Sequence, residues 1–173
     1  MKMYLSFPFI LFISLFCFKC DSNNALPTGT IAPNFTLNDL EGNEIKLARY
    51  RDRNVILFFI GRSDNNSTIQ LAKNIEDERD FFLQSNFVPI CISSERPEFL
   101  MSFSNKYNLS FEILSDITKH TQQSYGIEEG LGSSRISYII DKKGIIRDVL
   151  DNNDANELRD EVHQAVIKLE KGN

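Results

Sequence analysis

The stretch "NVILFFI", residues 54–60, constrains the fold more than any other part of the chain. After Asn54 it runs through six apolar residues without a polar break. A strand with one wet face would alternate, so an unbroken run of this length reads as a strand buried on both sides, at the centre of a sheet with helices over its faces. "FVPICISS" (87–94) has the same character. Between the two, Ser67 and Gln70 form a capping-box pattern, and Ile69, Ala72, Ile75 and Phe82 recur near helical spacing. Pro97 is placed to open a further helix, with Phe99, Phe103 and Tyr107 on its expected inner face. "FTLNDL" (35–40) and "EIKL" (44–47) flank a Gly42 turn as a hairpin, and "SRISYIID" and "IIRDVL" flank "KKG" as another. A short helix over "ITKHTQQSYG" closes at Gly126, and a last helix carries Leu158, Val162, Ala165, Val166 and Leu169 on one face. Strands that alternate with helices give an α/β fold with a mixed central sheet, flanked by helices and opened by a β-hairpin. One domain over residues 29–171 accounts for the pattern.

The first twenty residues are different in kind. One Lys precedes an uncharged, Phe- and Leu-rich stretch from Met3 to Phe18, which contains Pro8 and is followed by "DSNN". It is short for a membrane span and reads as a signal peptide or a lipoprotein-type signal over residues 1–20. Cys17 or Cys20 would be the lipidated residue in the second case. Residues 21–28 read as a polar linker. On this reading the body is exported, as a periplasmic or cell-envelope lipoprotein, or is secreted. The net charge of -5 leaves no basic excess for binding nucleic acid. The body has only Cys91 beyond Cys20, which excludes a disulfide framework.

Several strings then resemble one family in the order that family has them. "GTIAPNFTLNDLEGNEIKL" is similar to the opening of peroxiredoxins of the alkyl hydroperoxide reductase and thiol-specific antioxidant type (AhpC/TSA). "FSNKYNLSFEILSD", "SYGI" and "SRISYIIDKKGIIRDV" resemble later strings of the same family, so the resemblance covers roughly residues 29–150. It implies a thioredoxin-like fold and lies nearest to the bacterioferritin-comigratory subgroup, with membrane-tethered thiol reductases next.

In that family the loop after the central strand carries Pro-x-x-x-Thr-x-x-Cys. A helix N-terminus and a distant Arg stabilise the cysteine as a thiolate, which a peroxide oxidises to a sulfenic acid. Aligning the strands puts Gly61 at the Pro, Asn65 at the Thr and Thr68 at the peroxidatic Cys; Arg135 matches the Arg. A resolving cysteine five residues on would fall at Lys73. No cysteine occurs between Cys20 and Cys91, so shifting the loop alignment by several residues finds no sulfur. An alcohol such as Ser67 or Thr68 does not replace a thiolate.

The resemblance therefore implies a peroxiredoxin-like domain without the peroxidase, acting by binding a protein or small-molecule partner of unidentified chemistry. Ser67, Thr68 and Arg135 are the candidate ligand contacts, against the simpler reading that the loop only caps a helix. A thiol oxidoreductase using Cys91 or Cys20 is the alternative; a further one is an envelope lipoprotein whose fold serves as a scaffold, with a lipid anchor to the membrane. Cys91, set between two Ile residues, reads as a buried small hydrophobe. His120 and His163 lack partners at ligand spacing, so no metal and no other cofactor is expected.

Overall fold

The computed structural model describes residues 24–127, 136–152 and 154–171. Seven strands form one sheet: β1 (Thr36–Asn38), β2 (Glu44–Lys46), β3 (Asn54–Phe59), β4 (Phe87–Ser93), β5 (Glu112–Ser115), β6 (Ile136–Ile140) and β7 (Ile146–Asp151), in the order β2-β1-β5-β4-β3-β6-β7. β4 runs parallel to both β3 and β5, whereas β6 and β1 are antiparallel to their neighbours. The sheet is mixed, with its parallel part at the centre, where both faces are covered. Both expected hairpins form, β1–β2 and β6–β7.

All six residues of β3 are buried, and their alternation divides the core in two. Ile56, Phe58 and the following Ile60 face a cluster filled from α1 (Asn66–Asp77), α2 (Arg79–Gln84), α3 (Pro97–Tyr107) and α5 (Ala155–Lys171). Val55, Leu57 and Phe59 face a second cluster holding Phe35, Leu47 and Tyr50, together with Tyr125 at the end of α4 (His120–Ser124) and Tyr138 of β6. α5 buries Leu158, Val162, Ala165 and Val166 and tucks Leu169 in partly, the face expected from its periodicity. α1 joins α5 through a buried polar contact: Asn74 donates to the Ala155 carbonyl at 2.8 Å.

Three expectations need correction. The α1 face turned inward is Thr68, Leu71, Ala72 and Ile75, with Ile69 only half buried, and the helix breaks at Glu78 before Phe82. In α3 the buried residues are Leu100 and Phe103, while Phe99 is 60% exposed. Apolar residues at 99, 100, 101 and 103 offered two faces, and packing on the sheet selected the one through Leu100. Finally, residues 24–28 of the expected linker lie against the body. Ala25 and Leu26 pack on the second cluster, Leu26 N–H donates to the Tyr138 hydroxyl at 3.1 Å, and Gly29 N–H donates to the Ile146 carbonyl at 2.8 Å. The approach is close enough that a Cβ on Gly126 would sit 1.8 Å from the Asn24 carbonyl oxygen.

Candidate functional site

The loop that the sequence singles out leaves the C-terminal end of β3 and enters α1. Ile60 N–H still donates to the Ile92 carbonyl at 3.0 Å, so the chain is held to β4 up to the residue before Gly61. Arg62 and Asp64 then form an exposed two-pronged ion pair at 2.7 and 3.0 Å. That guanidinium holds the Asp64 carboxyl below its usual range.

α1 is capped by Asn65, not by the expected Ser67–Gln70 box. Asn65 has extended backbone, and its side-chain oxygen accepts from Ser67 N–H at 2.9 Å. Ser67 is already inside the helix, and Gln70 donates forward to Asn74 at 2.9 Å. Both residues suit a cap, and the extended conformation at 65 decides between them.

Thr68 stands in the first turn of α1 and is fully buried. Its hydroxyl has no hydrogen-bond partner among the described residues; the same is true of the buried Ser137 hydroxyl, on the β6 residue paired with Phe58. Gly61 is half buried, Asn65 and Lys73 are exposed, and the Lys73 ammonium lies over the Tyr107 ring at 5.3 Å. Cys91 lies in β4 within the first cluster, 0% exposed, and burial pushes its thiol well above its ordinary pKa. Arg135, Cys17 and Cys20 lie outside the described residues.

One contact had no signal in the sequence. Glu95, in the loop after β4, accepts from Ser63 N–H at 2.6 Å through its carboxylate, and its own backbone carbonyl accepts from the Ser115 hydroxyl at 2.7 Å. A carboxylate bonded to this loop opposes the formation of a second anion beside it, whereas a reactive thiolate needs a positive environment. Asn65 is thus engaged in capping, Ser63 N–H in holding the loop to the segment after β4, and Arg62 and Asp64 with each other.

The histidines do not form a site. His163 stacks on Phe81, ring centroids 4.0 Å apart, with Nδ1 3.3 Å from a Glu78 carboxylate oxygen, and His120 is exposed at the start of α4. Among the described residues no group of three or more His, Cys, Asp or Glu is placed to hold a metal, and no helix is long and apolar enough to cross a membrane.

With the strand order and this loop established, comparison with known proteins decides the family. The AhpC/TSA family profile matches residues 28–149. The chain belongs to the AhpC/TSA family. Relatives of known name include the chloroplastic peroxiredoxin Q of Triticum aestivum, 27% identical over 127 residues that make up 72% of this chain and 58% of the relative. Another is peroxiredoxin Bcp of Escherichia coli K12, 29% identical over 75% of this chain and 88% of that one. The chain thus spans less than two thirds of the length of its plant relatives.

The AhpC/TSA fold is equally plain in solved structures. Peroxidoxin BcpB from Mycobacterium tuberculosis superposes with a TM-score of 0.77 at 19% identity, covering 83% of this chain and 97% of that one. The bacterioferritin comigratory protein of Xanthomonas campestris gives 0.73 at 13% identity, covering 79% and 92%.

These AhpC/TSA relatives correct the expectation of export. The peroxiredoxin Q relatives are chloroplastic proteins. The inference to export rested on residues 1–20 alone, which lie outside the described residues.

Proposed function

We propose that this AhpC/TSA protein lacks the peroxidatic cysteine and acts by binding a partner or ligand instead of by reducing peroxides through a thiolate. The observation that carries the reading is Thr68: the first turn of α1, where the resemblance puts the reactive cysteine, presents a buried hydroxyl. An alcohol at neutral pH is un-ionised and has no sulfur to oxidise, so the sulfenic-acid step has no starting point there. The surroundings agree, because Glu95 supplies negative charge to the loop and Asn65 serves as its cap.

The thiol-oxidoreductase alternative draws no support from Cys91. A nucleophilic thiol needs exposure and a depressed pKa, and Cys91 has neither. Native titration with an aromatic disulfide reagent tests this directly. Cys91 is expected to stay unmodified until denaturant is added. Rapid native labelling that disappears in Cys91→Ser would reverse the conclusion.

A further inference from the structure

At the opposite end of β3 from α1, two turns flank a small cavity that opens to solvent. One is the 3-10 turn Leu47–Tyr50 with the residues that follow it, and the other is the β6–β7 turn. Both are pinned by backbone bonds: Asp52 N–H donates to the Lys142 carbonyl at 3.4 Å and Ala32 N–H to the Gly144 carbonyl at 2.9 Å. The cavity measures about 70 Å³, several times the roughly 10–15 Å³ that one water needs. It suits a group the size of a phosphate.

The lining is strongly biased in charge. Arg51, Arg53, Lys142 and Lys143 contribute to it, and Asp141 is the one acidic residue among the lining positions. Asp141 is already satisfied, since it accepts from Lys143 and Ile145 N–H and pairs with Arg147 at 2.6 Å. Among the described residues none of the four cations has an acidic partner; Arg53 donates only to the Asn86 side chain, at 3.3 Å. Tyr50 also lines the cavity. It is nine-tenths buried, and its hydroxyl lies by the Glu112 carboxylate. Burial and that carboxylate push its pKa up to about 12, so at neutral pH the hydroxyl stays protonated beside Glu112, and Tyr50 serves as wall and not as a ligand contact. Glu112 itself is not part of the lining.

Arg51, Lys142 and Lys143 are exposed and Arg53 is half-buried. In a chain of net charge -5 their clustering around one pinned cavity makes a local positive field that favours an anion. We propose that this cavity binds a phosphate group, held by Arg51, Arg53, Lys142 and Lys143, at a site independent of the α1 loop. The phosphate comes either from a small soluble molecule or from a lipid headgroup.

The test uses the full chain and the double variant R51Q/K142Q, with K168Q/K171Q on α5 as the charge-matched control. Thermal unfolding is followed against inorganic phosphate and glycerol phosphate, with chloride at matched ionic strength. Sedimentation is measured with phosphatidylcholine vesicles with and without phosphatidic acid. A phosphate-specific rise in Tm, weakened about tenfold or more in half-saturating concentration by R51Q/K142Q and unchanged in K168Q/K171Q, supports the site. Recruitment only to phosphatidic-acid vesicles, lost in R51Q/K142Q, supports it with a headgroup as the source. No response in either arm, an equal response to chloride, or an equal response in R51Q/K142Q overturns it.

Discussion

Thr68 and Cys91 show how one side chain's surroundings decide its chemistry. Thr68 has a buried hydroxyl without a hydrogen-bond partner among the described residues, which costs stability because the group has left water for nothing. Thr68→Val removes the hydroxyl and keeps the shape, so it is expected to stabilise the protein by about 1 kcal/mol, read as a higher urea midpoint. A loss of stability would show that the hydroxyl is bonded. Thr68→Cys should give a thiol that remains unreactive toward peroxide, because the position is fully buried and the Glu95 carboxylate is bonded to the loop beside it. Cys91 was legible from sequence, since a thiol between two Ile residues in a buried strand has no route to solvent. Glu95 was not, because its bond to Ser63 spans 32 positions and depends on how two loops meet.

Among the elements, the β6–β7 turn and the N-terminal strap carry separate predictions. Burial alone would raise the Asp141 carboxyl. The N–H groups of Ile145 and Lys143 and the Arg147 guanidinium outweigh it and hold the pKa below the ordinary 3.8. A depressed native pKa contributes stability that is complete above the unfolded value and disappears as pH falls below it. Asp141→Asn should therefore cost about 1–2 kcal/mol at pH 7, and the difference from wild type should shrink as melting is repeated in more acidic buffer, below the ordinary 3.8. The strap was misread as a tether because its composition is polar, yet Ala25 and Leu26 find apolar neighbours and Leu26 N–H finds Tyr138. Gly126 has φ +73° and no room for a Cβ beside Asn24. Gly126→Ala should cost more than about 1 kcal/mol and speed hydrogen exchange at Leu26 N–H, whereas Tyr138→Phe should speed that exchange with a smaller loss of stability. The helix ends and faces that sequence misplaced share one physical cause. Ser67 and Asn65 both suit a cap, and Phe99 and Leu100 both suit a core, so the choice lies with contacts distant in sequence.

Across the whole molecule, the sheet was the most legible level. Continuous apolar strands and two Gly-marked hairpins specify a mixed sheet covered on both faces, and the seven strands realise it around a fully buried β3. Family membership rests on the profile match, whose residues 28–149 cover the sheet almost to the end of β7. Function is less legible, because it depends on a few atoms at the end of one strand, while the fold persists when those atoms change. The central claim is that this fold has been kept without its thiolate chemistry. Its most direct test is consumption of hydrogen peroxide by the full chain with excess dithiol reductant, with a sulfenic-acid trap read by mass spectrometry. The expected result is a rate equal to that of reductant alone, no trapped sulfenic acid on Cys91, and no change in Cys91→Ser. Peroxide consumption above that background, abolished by replacing any one of the three cysteines, would contradict it.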